Sequence, residues 1–232
     1  MWMRAYVVVS SLALVVLSTA AFRQASTPQN LGEITVERIN VVDKNGTLRM
    51  VIANQDRMHP GVIDGIQLNR PRPYAGMIFF NDAGDEVGGL TVRGVDKDGK
   101  REASASFMFD QLHQDQTIGL SYGEANGKRT AAFQIWDRPE VHLGEIVRQM
   151  QAAGEMTDPI KREAAMNAAT KLAEAGHERV FVGKDIERSA SVALSDADGH
   201  TRLKLTVDAK GNPRIEFLDD KGQVTQRLPQ KK

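Results

Sequence analysis

The sequence predicts a mainly β protein: antiparallel meander or sandwich-like sheets with Asp-x-x-Gly hairpin turns, one inserted α-helical hairpin, and an N-terminal transmembrane or signal helix. Three observations predict it. A four-residue turn signature recurs seven times along the body. Apolar residues alternate with period two between those turns. The period switches to a helical one once, over residues 138–176.

The chain opens on MWMRAYVVVSSLALVVLSTAAFRQAS, residues 1–26, which hold no Asp or Glu. Arg4 and the amino terminus are positive, and 18 residues from Ala5 to Phe22 carry no charge. As a helix this run covers roughly 27 Å, just short of a hydrocarbon core. Ser18-Thr19-Ala20 supply the small residues of a cleavage site. The expectation is an inner-membrane anchor with a cytoplasmic N-terminus and the body facing the periplasm or outside, or a secreted protein if cleavage occurs near Ala20. Residues 27–32 are small and polar and read as a linker.

The turns begin at Asp43, Asn81, Asp96, Glu124, Asp196, Asp208 and Asp219, each followed three residues later by Gly. An Asp or Asn side chain at the first position accepts from backbone N–H groups ahead of it. Gly at the fourth takes the left-handed conformation that a Cβ penalises. This is a type I turn with a G1 bulge, a hairpin connection. Gly199, Gly211 and Gly222 lie 12 and 11 residues apart, which spaces out a meander. Ala103, Ala105, Phe107 and Phe109 share one strand face, as do Ile118, Leu120 and Tyr122. Leu203, Leu205 and Val207 alternate with Arg202, Lys204 and Thr206. Such alternation implies one buried and one wet face. The unbroken run Met77 to Phe80 reads as buried on both sides, and Gly88-Gly89 as a bulge or a close backbone approach.

Asp137 and Pro139 read as the start of a first helix, with Leu143, Ile146, Val147 and Met150 as its stripe and Gly154 as its end. Asp158-Pro159 starts a second helix with an alanine-rich stripe, Ile160, Ala164, Ala165, Ala168, Ala169 and Leu172, closed by Gly176. The resulting division is a β region over 33–138, a helical hairpin over 139–177 and a C-terminal β-meander over 178–228. The two β regions are expected to pack as one domain.

Composition removes several functions. The 30 Lys+Arg balance 30 Asp+Glu. Without residues 1–26, which carry Arg4 and Arg23, the count is 28 basic and 30 acidic residues, a charge of −2. No basic domain is hidden there, so no nucleic-acid partner is expected. Absent cysteine excludes disulfides, thiolate zinc sites, Fe–S clusters and cysteine nucleophiles. No nucleophile elbow, phosphate loop, dinucleotide fingerprint or HExxH pair occurs, so no cofactor, metal or catalytic residue is assigned. Asp96 and Asp98, or Asp196 and Asp198, fail the EF-hand spacing and read as turn residues. Three short segments carry ligand-type side chains: Asp56, His59 and Asp64; Asp110, His113 and Asp115; Asp137, Glu140 and His142. Each reads equally well as a polar loop or helix start.

The residues expected to bind are Arg70, Arg72 and Tyr74, in the stiff, basic loop Asn69-Arg-Pro-Arg-Pro-Tyr74. Its prolines lower the entropic cost of holding two guanidinium groups ready for an acidic partner. The alanine stripe offers a close-approach surface for self-association or an envelope protein.

Val36-Glu-Arg-Ile-Asn-Val-Val42 with the following Asp-Lys-Asn-Gly turn, Ala75-Gly-Met-Ile-Phe-Phe-Asn81, and Arg179-Val-Phe-Val-Gly183 together resemble a pattern in a family of uncharacterised bacterial exported or membrane-anchored β-rich proteins. The resemblance covers most of residues 33–228 and implies no activity or site residue. The functional expectation is a non-enzymatic, membrane-tethered extracytoplasmic binding or scaffold module of the bacterial cell envelope. The alternatives are an envelope hydrolase using loop carboxylates or histidine, and a self-assembling structural β protein.

Overall fold

The computed structural model describes residues 2–24, 30–68 and 70–230, apart from the side chains of residues 4, 5 and 17–24. The chain divides into two units, Met1–Val36 and Glu37–Lys232.

The first unit contains helix α1, Trp2–Gln24. Ser10 turns its hydroxyl back to the carbonyls of Tyr6 and Val7, as a polar side chain does in an apolar helix. Among the described residues no helix is long and apolar enough to cross a membrane. The Ser18-Thr19-Ala20 side chains and most of the linker lie outside the described residues.

The second unit is built on one antiparallel sheet. Its strands are β1 (Arg38–Val42), β2 (Leu48–Ala53), β5 (Ala75–Phe80), β6 (Glu86–Lys97), β7 (Lys100–Asp110), β8 (Gln116–Ala125), β9 (Lys128–Asp137), β10 (His177–Lys184), β11 (Ala190–Ser195), β12 (Thr201–Val207), β13 (Pro213–Leu218) and β14 (Val224–Leu228). These twelve strands lie in chain order across the sheet. The two remaining strands, β3 (Val62–Ile63) and β4 (Ile66–Gln67), form a separate small hairpin in the excursion between β2 and β5. Since β9 pairs with β10, the strands before and after the helical insertion belong to one sheet. The meander forms, but the sandwich-like alternative does not: among the described residues no second large sheet lies over the first. Apart from the β3–β4 excursion between β2 and β5, each strand pairs with the strands next to it in the chain.

The turns explain that order. Gly46, Gly84, Gly199, Gly211 and Gly222 each donate a backbone N–H to the carbonyl of the residue three before, at 2.9–3.1 Å, with left-handed φ between 73° and 88°. The other two signatures close more tightly. Lys97 pairs with Lys100 and Ala125 with Lys128, leaving Asp98-Gly99 and Asn126-Gly127 as two-residue turns with both φ positive. That is the type I′ pattern favoured by Asp-Gly and Asn-Gly.

Burial is confined to small regions. Val51, Ala53, Ile78 and Phe80 form a core on one face of β2 and β5, with Leu48 and Met58 against it. Met58 follows a 3₁₀ turn, Gln55–Arg57, capped by Asn54 through a bond from the Arg57 N–H. The Met77–Phe80 run is therefore buried on one side, by Ile78 and Phe80, and half-exposed on the other. Gly88 has φ +131°, and a Cβ there would lie 2.3 Å from the Met108 carbonyl oxygen, the close backbone approach its glycine pair implies.

Helices α2 (Leu143–Glu155) and α3 (Pro159–Ala173) bury Ile146, Ala153 and Ala169. Helix α2 starts later than Asp137-Pro139 implies, because residues 138–142 are held elsewhere. The Leu143 N–H bonds the His113 carbonyl at 2.8 Å, and the Gln114 amide donates to the Val141 carbonyl at 2.5 Å. Gly154 stays helical, and α2 ends at Met156 in extended geometry. Asp158 caps α3 as its Asp-Pro pair implies, accepting from the N–H groups of Ile160 and Lys161.

Candidate functional site

The main surface feature follows from the registers. Directly paired residues in an antiparallel ladder point to the same face. One such row begins Ile39, Ile52, Met77, Leu90, Phe107, Leu120. It continues Phe133, Val182, Val192, Leu205, Ile215, Leu228. All twelve strands contribute one residue, and every one is apolar. None of these residues is buried, and Leu120 is 53% exposed. At about 4.8 Å per strand the row runs roughly 50 Å along the sheet.

This corrects the expectation that the apolar face is the covered one. Alternation identifies the face correctly, but among the described residues no layer packs on it. Two open cavities lie along it. One of about 720 Å³ is lined by Val192, Leu205, Val207, Ile215 and Leu228 among others. The other, about 520 Å³, is lined by Leu90, Phe107, Leu120, Tyr122 and Phe133. Both are lined in part by Val182, so they adjoin as one shallow, mainly apolar trough over β6 to β14.

The opposite face carries a polar pocket of about 270 Å³, lined by Arg70, Arg72, Tyr74, Glu86, Asp110 and the glycines Gly88 and Gly89. The three residues expected to bind thus come together, but not as two free cations. Arg72 is 8% exposed and its guanidinium bonds Glu86 at 2.5 Å. Its charge is neutralised internally, whereas Arg70 is exposed. Asp110, not chosen from the sequence as a binding residue, is the unusual group here. Burial, then repulsion by Glu86 and Asp115, pushes its carboxyl up to about 7. Its Oδ1 is shielded from solvent and has no hydrogen-bond partner among the described residues.

The three ligand-bearing segments are partly brought together. Asp64, in the β3–β4 turn, His113, in the β7–β8 turn, and His142, at the start of α2, form one cluster. Asp56 stays on the 3₁₀ turn, and Asp137 pairs with Arg179. His59 stacks edge-on against Phe80 at 4.9 Å, and burial lowers its pKa. A second group, Asp196, Asp198 and His200, sits in an exposed hairpin turn, where Asp196 accepts the N–H bonds of the turn. Convergence of Asp64, His113 and His142 depends on register and on where the helical insertion leaves the sheet, so no single sequence segment signals it.

No protein-family model matches the chain, and the search of the curated proteins found no match.

Proposed function

We propose that the chain is a non-enzymatic, membrane-tethered extracytoplasmic binding module of the cell envelope whose ligand is a long aliphatic chain, such as a lipid acyl chain. The observation that carries this reading is the unbroken apolar row across all twelve strands, left open to solvent. Exposed apolar patches beyond a few hundred Å² on a monomer mark interaction sites. The chemistry of the row favours an acyl chain over a protein. Protein interfaces carry about one hydrogen bond per 100–200 Å². Along the ten inner strands the backbone groups of this row are engaged in the ladder, and its side chains carry no strong donor or acceptor. The charge-free run Ala5 to Phe22 behind Arg4 supports export or anchoring by α1, which would keep the trough next to a lipid source.

The test uses the full chain and a dansyl-labelled fatty acid. Saturable fluorescence enhancement is expected, weakened ~10-fold or more by Leu120→Asp combined with Leu205→Asp. Absence of binding from a chain that light scattering shows to be dimeric would replace the lipid by a second copy. Fusing residues 1–40 to a reporter active only outside the cytoplasm should give an active fusion; an inactive one overturns the topology.

One observation favours a second reading, the envelope hydrolase. A carboxyl raised to about 7 in a pocket beside a second carboxylate and an arginine has the properties of a general acid.

A further inference from the structure

Three surface excursions, separated widely in sequence, place an aspartate and two histidines at one point. The Asp64 Oδ1 lies 2.7 Å from the His113 Nδ1, and its Oδ2 lies 3.7 Å from the His142 Nδ1. One ligand atom from each residue lies within 4.8 Å of the others. The two imidazoles stack, with centroids 4.4 Å apart and planes 6° from parallel, so the exposed His142 ring must turn for both rings to aim a nitrogen at one ion.

Two further observations separate this cluster from an ordinary Asp–His hydrogen bond. The Asp64 Oδ2 is shielded from solvent and has no hydrogen-bond partner among the described residues. A buried carboxylate oxygen without a partner is costly, and a cation is the group that would satisfy it. The second is the approach of α2: a Cβ at Gly144 would lie 2.4 Å from that same oxygen, so a larger residue there would displace the Asp64 carboxylate from the cluster. Meanwhile His142 is 57% exposed on its side chain, leaving a path from solvent to the cluster.

We infer that Asp64, His113 and His142 form a binding site for one divalent transition-metal ion of the zinc class, with a coordination position open to solvent. Two imidazoles and one carboxylate suit zinc and its neighbours, whereas magnesium and calcium prefer all-oxygen shells. The ion would tie the β3–β4 hairpin, the β7–β8 turn and the start of the helical insertion to one point, adding to the two hydrogen bonds already joining the last two. This goes beyond the acyl-chain reading: the cluster is made of loop residues that do not line the trough.

The experiment is a titration of the full, EDTA-stripped chain with Zn²⁺ by calorimetry, repeated with Mg²⁺, plus the absorption spectrum of the Co²⁺-loaded chain. One Zn²⁺ per chain is expected, no saturable Mg²⁺ binding, and visible Co²⁺ bands of low coordination number. Asp64→Asn and His142→Ala should each weaken Zn²⁺ binding ~100-fold or more. His142 is exposed, so its variant should keep the far-ultraviolet circular dichroism of the parent and remain informative if Asp64→Asn misfolds. No stoichiometric binding would overturn the inference. So would binding that survives His142→Ala but disappears in His200→Ala, which would move the site to the exposed turn.

Discussion

Asp110 ties the polar pocket to pH. Unfolded, its carboxyl holds a proton only below about the ordinary 3.8; folded, it holds one up to about 7. Between those values the folded chain binds more protons than the unfolded one. Stability therefore falls as pH rises through that window and is lowest above it. Asp110→Asn removes the charge that burial penalises. The variant should be more stable than the parent at pH 8, by roughly 2–4 kcal/mol at most, with the difference shrinking toward pH 4. Denaturant melts at the two pH values check this. The same variant bears on the hydrolase reading, which requires it to abolish turnover. Composition could not single Asp110 out among 30 acids, because its property comes from burial and from Glu86 across the pocket. Turn residues were far more legible, since Asp-x-x-Gly chemistry is local. One hairpin of that geometry escaped the signature: Asp185 to Arg188 closes with the same pair of backbone bonds, but Arg188 rather than Gly holds the left-handed φ of 68°.

The helices show the same division between local and distant causes. The start of α3 could be read directly, because an aspartate cap and a proline in the first turn act on the nearest N–H groups. That of α2 could not, since the bonds that delay it come from His113 and Gln114 on another loop. The alanine stripe of α3 divides between two environments: Ala169 is buried and Ile160 is 78% exposed. Asp158→Ala should cost the helical hairpin about 1 kcal/mol. Amide exchange should accelerate in α3 while protection in β10 to β13 is unchanged; equal acceleration in those strands would mean the insertion and sheet unfold as one unit. For strands, alternation told which residues share a face. It could not tell which face would be covered, because coverage needs a second layer, and among the described residues the buried apolar cluster of the sheet lies on the other face, at β2 and β5.

Twelve strands in chain order make the sheet a nearly one-dimensional array, in which each strand depends on its immediate neighbours. A chain ending after Asp219 loses β14, all of whose residues are exposed. It should retain the folded sheet from β1 to β13, with a thermal midpoint lower by only a few °C, as circular dichroism would show. Global unfolding would indicate that the last strand closes an essential contact. The strand order also bears on how the protein reaches its native state. Each new strand finds its partner in the segment made just before it, apart from the two excursions ahead of β5 and β10. Pairing therefore closes mostly short loops, which favours fast folding. If the segment after α1 crosses a membrane as an unfolded thread with β1 leading, the sheet can grow strand by strand as it emerges, without waiting for the carboxyl terminus to arrive.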